Sequence, residues 1–216
     1  MKLAVFDCDG TLVDGQAPIC EAMEATFAQF DLPAPSRGLI RRAVGLSLPQ
    51  AMRQLLPDSD EAQQHAMADA YKAAFRQART EGRVSQPLFP DIAEVLHALR
   101  DAGWTLAVAT GMSDRGLSFC LESNAIKDLF VSLQTADRHP SKPHPAMLEE
   151  AMMDAGAQPS ETVMIGDTVY DMHMAGNAAT RGVGVDWGYH HPTELLAAGA
   201  EKVVETPREL LEHLLS

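Results

Sequence analysis

Asp7 and Asp9 stand two residues apart after a short apolar run, Leu3-Ala4-Val5-Phe6, and Gly10-Thr11 follow them. Side chains two apart on a strand point the same way, so both carboxylates face one pocket. Two carboxylates held side by side repel each other unless a cation or a shared proton offsets the charge. The pair therefore suggests a metal site, a nucleophile beside an acid, or both. Gly10 lets the chain turn sharply where the strand ends.

Three later segments carry matching chemistry. Thr110-Gly111 ends a second apolar run, Lys142 lies within Ser-Lys-Pro-His-Pro, and Gly166-Asp167 through Asp171 follows a third run. Asp7, Asp9, Asp167 and Asp171 are hard oxygen ligands that suit Mg2+, which takes carboxylates together with substrate phosphate and water. Thr110 and the backbone amides from Gly111 onward can donate to phosphoryl oxygens. Lys142 supplies positive charge against phosphate and the carboxylates. Asp7 can attack phosphorus to give an aspartyl-phosphate, and Asp9 can protonate the leaving oxygen and then deprotonate water. A small phosphorylated metabolite would then rest on Gly10, Thr110, Gly111 and Lys142.

Four separated segments must be gathered for this chemistry. Strand patterns at 3–6, 105–109, 130–134, 162–165, 182–185 and 202–204 alternate with amphipathic segments at 92–100, 113–123, 145–155, 169–179, 192–198 and 207–215. Such alternation predicts an α/β, doubly wound (Rossmann-like) parallel sheet core with ligands at the carboxyl ends of the strands. Residues 16–83 break it, with helix formers at 19–30, 36–44, 48–56 and 60–79 and no convincing strand. About 65 residues greatly exceeds a usual connection. The stretch reads as an inserted all-helical cap on a core of residues 1–15 and 84–216, re-entered through Gln86-Pro87-Leu88-Phe89-Pro90.

With 216 residues and a net charge of −13, the chain is expected to bind neither nucleic acid nor an anionic membrane surface. No run approaches the ~18 apolar residues of a membrane span, and Asp7 and Asp9 interrupt the one apolar stretch that could open a signal peptide. Cys8, Cys20 and Cys120 show no CxxC spacing, so reduced thiols and a cytoplasmic location are expected. Cys8 should point away from its aspartate neighbours as small core filling. A monomer or a homodimer is equally compatible with this composition.

These residues resemble the haloacid dehalogenase superfamily of phosphotransferases over essentially the whole chain, and within it the phosphoglycolate phosphatase-like branch with its small helical cap. Asp7-Cys8-Asp9-Gly10-Thr11 is similar to the first motif, DxDGT; Thr110 matches the second, Lys142 the third, and Gly166-Asp167 through Asp171 the fourth, GDxxxD. The resemblance implies that Asp7 is nucleophile and Mg2+ ligand. Asp9 would be general acid and base with its carbonyl on the metal, Asp167 a direct ligand, and Asp171 a support, directly or through water. Retention of Asp9 implies phosphate-ester chemistry rather than dehalogenation or phosphonate hydrolysis.

The activity implied is a Mg2+-dependent phosphatase for a small phosphomonoester, 2-phosphoglycolate first. A phosphomutase of the β-phosphoglucomutase type shares every core motif and is the alternative. A non-enzymatic phosphoacceptor signalling module is a further one, although Asp7-x-Asp9 on a first strand and the insertion speak against it. One departure is Asp91, where related sequences often carry Gly. Arg37, Arg41 and Arg42 form the most basic patch in the first half of the insertion. They would either read a substrate carboxylate or second phosphate or simply make a solvated helix face. Arg115 is a further candidate for the substrate. His190-His191 reads as a surface turn, and His144 as shaping the Lys142 loop.

Overall fold

The computed structural model describes residues 1–216. Alternation within β1 (Leu3–Phe6) sets its layers: Leu3 and Val5 enter the core on one face of the sheet, Ala4 and Phe6 on the other. A strand buried on both faces must be apolar throughout, which is why it reads as a continuous run.

After β1 the chain makes four helices in succession, α1 (Gln16–Gln29), α2 (Arg37–Arg42), α3 (Leu48–Leu55) and α4 (Glu61–Thr80). Ser36 starts α2 by accepting from Leu39 N at 3.3 Å, and Asp60 starts α4 by accepting from Gln63 N at 2.8 Å. Ile19, Met23, Phe27, Ile40, Met52 and Met67 give these helices a buried cluster of their own.

The remainder alternates: α5 (Ile92–Asp101), β2 (Thr105–Thr110), α6 (Asp114–Ser123), β3 (Ser132–Thr135), α7 (Ala146–Ala155), β4 (Thr162–Gly166), α8 (Val169–Asn177), β5 (Arg181–Val185), α9 (Pro192–Ala197), β6 (Lys202–Val204) and α10 (Pro207–Leu215). All strand pairs are parallel, in the order β3-β2-β1-β4-β5-β6. Helices α5, α6 and α10 cover one face through Leu96, Leu117 and Leu210; α7 and α8 cover the other through Leu148 and Met174. This is the doubly wound sheet that the alternation predicts. The chain builds outward from β1 to β3, then returns to the other side of β1 at β4, so the switch in strand order falls between β1 and β4.

The two crossings between core and insertion run side by side. Asp14 N donates to Pro87 O at 2.9 Å and Phe89 N to Leu12 O at 3.0 Å. Asp91, just beyond, takes a left-handed φ of +64° at the start of α5. That conformation suits Gly best. No helix is long and apolar enough to cross a membrane.

Candidate active site

Asp7 leaves the carboxyl end of β1 on the side of Leu3 and Val5, 1% exposed. Its Oδ1 accepts from Cys8 N at 2.7 Å and meets Lys142 Nζ at 2.9 Å. Its Oδ2 is buried with no partner at all. Burial raises this carboxyl and Lys142 pulls it down, while Asp171 pushes it up again; the balance is about 6. Cys8 has the opposite parity and lies in the core, its Sγ 3.8 Å from that of Cys120.

Asp9 is raised further, to about 7, by burial and then by repulsion from Asp7, partly offset by a hydrogen bond from Gln86. Gln86 Nε2 donates to Asp9 Oδ1 at 3.1 Å. An acid in that range can give a proton at neutral pH and take one back. Nothing in the residue types singles out Gln86. It reaches Asp9 because the re-entry segment lies beside the Val13–Leu88 bridge, a pairing that no local pattern marks.

Asp167 follows β4 across the switch point. Its Oδ1 accepts from Thr11 Oγ1 at 2.8 Å and its Oδ2 from Tyr189 N at 2.9 Å. Burial, Asp7 and Asp171 together hold this carboxyl well above the usual range. The fit leaves no space at Gly10, which has φ +87° and where a Cβ would fall 2.3 Å from Asp167 Oδ2.

Lys142 is buried between two carboxylates, with Nζ 2.9 Å from Asp7 Oδ1 and 2.7 Å from Asp171 Oδ1. Burial alone would discharge it, but Asp171 and Asp7 outweigh that and hold its pKa above the ordinary lysine value. Asp171 is aimed by the capping box of α8: its Oδ2 accepts from Thr168 N at 3.0 Å and Thr168 Oγ1 at 2.7 Å. The other oxygen is thereby presented to Lys142.

Asp7, Asp167 and Asp171 each offer an oxygen within 4.8 Å of the others, all buried. One ammonium cannot balance three buried carboxylates, and Asp7 Oδ2 lacks any donor. This set fits a hard divalent cation. The Asp9 carboxylate is not part of it, being turned to Gln86, but the Asp9 carbonyl accepts no hydrogen bond and is free to join. Thr110 ends β2, buried, its Oγ1 accepting from Met112 N at 3.3 Å and donating to nothing.

A cavity of 740 Å3 opens from Asp7, Asp9 and Thr110 between the insertion and the core. The loop between α2 and α3 roofs it. Ser47 N donates to Ser141 Oγ at 2.8 Å, and a Cβ at Gly111 would fall 2.4 Å from Leu46 O. Arg115 lines this cavity together with Lys72, Arg76 and Arg79 of α4, which belong to none of the motifs. Their i, i+4, i+7 spacing on one helix face was the available signal.

The structure does not bring Arg37, Arg41 or Arg42 into the cavity. Arg37 pairs with Glu24 at 2.7 Å, Arg41 donates to Gln16 Oε1 at 3.1 Å, and Arg42 pairs with Glu194 of α9 at 2.7 Å. Arg41 and Arg42 border a separate hollow of 410 Å3 with Trp187 and Tyr189.

His190 is no surface residue. It is 4% exposed, accepts from Val169 N at 3.3 Å and contacts Arg42 O at 3.2 Å through Nε2, because the insertion covers it. Burial lowers its pKa. His191 is exposed and caps α9, and His144 Nδ1 accepts from Ala146 N at 3.2 Å at the start of α7.

The pattern of the haloacid dehalogenase-like hydrolases matches residues 4–185. A probable phosphatase, IndB, of Dickeya dadantii is 36% identical over 213 residues, which is 97% of this chain and 91% of that protein. A phosphoglycolate phosphatase of Vibrio vulnificus is 29% identical over 220 residues, 100% of this chain and 96% of that one. A hydrolase structure from Pseudomonas syringae superposes with a TM-score of 0.87 at 25% identity, over 99% of this chain and 98% of the other.

Proposed function

The chain belongs to the haloacid dehalogenase-like hydrolases, and from that premise we propose that it is a Mg2+-dependent phosphatase of small phosphomonoesters, acting through an aspartyl-phosphate on Asp7. One observation carries the reading: Asp7 Oδ2 is buried with no hydrogen-bond partner. Leaving a carboxylate oxygen so is costly, and the lone pairs left free are what a cation or an electrophilic phosphorus requires. The relatives named phosphatase and phosphoglycolate phosphatase support phosphoester hydrolysis and make 2-phosphoglycolate the first substrate to test.

Asp7 attacks phosphorus, forming the new P–O bond as the ester P–O bond breaks. Asp9 gives its proton to the departing oxygen. It then takes a proton from the water that attacks phosphorus and returns Asp7 to a carboxylate. Thr110 and the Gly111 amide hold phosphoryl oxygens, and Lys142, aimed by Asp171, fixes Asp7 and balances part of the charge. Held by Asp7, Asp167 and the Asp9 carbonyl, with Asp171 in support, Mg2+ would offset the repulsion between carboxylate and phosphate. Residues 16–83 act as a cap on the core of 1–15 and 84–216 and keep bulk water out.

Phosphate release from 2-phosphoglycolate and p-nitrophenyl phosphate, with Mg2+ and with EDTA, tests the reading. Release should require the metal and vanish in Asp7→Asn, which should still melt cooperatively. Activity that survives in EDTA removes the metal; activity that survives in Asp7→Asn removes the nucleophile.

A further inference from the structure

The chamber is too large and too cationic for a two-carbon acid. Its roof is already seated, with Leu46 O against Gly111 and Ser47 N on Ser141 Oγ at 2.8 Å. The 740 Å3 is therefore the volume of a cavity whose roof loop already touches the core, with its far end open to solvent. Cavities of about 300–1,000 Å3 hold ligands of drug size. Its middle walls are apolar, formed by Ile19, Met23, Ile40 and Phe75, and Tyr71 stands where α4 passes the carboxylates. Tyr71 shares this lining with Asp7 and Asp9.

Beyond Tyr71, α4 lines the cavity on to Arg76 and Arg79, about 7.5 and 12 Å further along the axis at 1.5 Å per residue. Arg79 lies 5.1 Å from the Phe119 ring of α6, so the row ends across the core at the mouth. Arg115 joins it there from the opposite side.

The cations at the mouth are not neutralised. The guanidinium groups of Arg76 and Arg115 make no hydrogen bond or ion pair, and Lys72 Nζ makes only a 3.4 Å contact with Asp69. The two carboxylates nearby are engaged elsewhere. Asp114 binds Thr135 Oγ1 at 2.7 Å and Arg138 at 3.1 Å, and Asp137 accepts from Asp114 N at 2.9 Å. In a chain of net charge −13, four cations gathered at one opening are a local reversal of sign.

Resting on the phosphatase reading, we propose that the preferred substrate is an elongated phosphomonoester, with an apolar body along the α4 wall and a second acidic group received by Arg76 and Arg115. The scissile phosphate sits at Asp7 and the distal acid at the mouth, so one end reports the chemistry and the other the selectivity.

The test compares hexyl phosphate, 6-(phosphonooxy)hexanoate and 2-phosphoglycolate by kcat/KM with Mg2+. The ω-carboxylate should exceed hexyl phosphate by about tenfold, the worth of one charge-assisted hydrogen-bond pair, and should exceed 2-phosphoglycolate. In the Arg76→Gln/Arg115→Gln double variant the two hexyl esters should converge. Equal values in the wild type, a preference that persists in the double variant, or 2-phosphoglycolate above both would overturn the proposal. No release from any ester would instead overturn the phosphatase reading. In that event, calorimetric binding of the matching phosphonates with and without the ω-carboxylate still decides the subsite: tighter binding of the diacid by about tenfold upholds it, and equal binding removes it.

Discussion

Gly111→Ala isolates the contact between the roof loop and the strand ends. The new Cβ would lie 2.4 Å from Leu46 O and 2.7 Å from Gly45 O, both backbone atoms that cannot rotate away. An ordinary contact begins near 3.4 Å, so the loop must withdraw by about 1 Å. The hydrogen bond from Ser47 N to Ser141 Oγ, 2.8 Å long, would stretch with it. Gly111 itself has no left-handed φ, so alanine introduces no backbone strain. Misplacing reacting groups by about 1 Å reduces rate by about a hundredfold, equivalent to about 2.7 kcal/mol of barrier. The assay is kcat/KM for 2-phosphoglycolate, set beside a thermal melt. A loss near a hundredfold with a melting temperature within a few degrees of wild type is expected. Wild-type kcat/KM in Gly111→Ala would refute the seated roof, and a collapse of the melting temperature would refute the local nature of the contact.

Lys142→Met should destabilise the metal-free protein by about 3–5 kcal/mol in urea, because Asp7 and Asp171 are left buried and uncompensated; a loss under about 1 kcal/mol would contradict that pairing. The alkaline limb of kcat/KM should fall near pH 7, where Asp9 loses the proton that the leaving oxygen needs. Gln86→Leu should move that limb upward, since Gln86 favours the charged carboxylate, and an unmoved limb would remove Asp9 as the acid. Asp9 is raised on folding, from 3.8 to about 7, so the folded state binds the extra proton. Stability of the metal-free protein should therefore fall as pH rises between about 4 and 7, and a flat profile that Asp9→Asn does not alter would exclude this. Asp91→Gly should stabilise by roughly 0.5 kcal/mol and Asp91→Val destabilise by more than about 1 kcal/mol. The side chain of Asp91 makes no capping bond to lose, and equal urea midpoints would rule out strain at φ +64°.

The positions of Asp7, Thr110, Lys142 and Asp167 could be read from the chain because each follows a strand pattern directly. In a parallel sheet, strand ends converge whatever the loops do. Even the inward turn of Cys8 followed from parity. What depends on how the helical insertion rests on the sheet was not written in any local pattern. Arg41 and Arg42 share a basic run with Arg37, yet α2 turns Arg42 toward Glu194. His190 looks like half of an exposed pair until Arg42 covers it. Arg76 shares a helix face with Lys72 and Arg79 by spacing, but that this face meets the cavity depends on where α4 comes to rest, with Arg79 against Phe119. Gln86 reaches Asp9 because the two crossings pair, a register that neither segment specifies alone.

The central place of β1 also governs the order of assembly during synthesis. Leu3 aligns with Thr105 on one side and Thr162 on the other. The strand that bears Asp7 is made before both of its neighbours and is enclosed only after about 160 further residues. At 5–20 residues per second that is a wait of roughly 8–30 s. Helices α1–α4 emerge during this interval with a cluster of their own to bury, so they can condense while Leu3-Ala4-Val5-Phe6 stays unpaired. A nascent chain therefore exposes an apolar segment of high strand propensity during that wait. Ribosomes halted before residue 162 would hold products with no carboxylate cluster and an open strand edge, natural clients for chaperone binding.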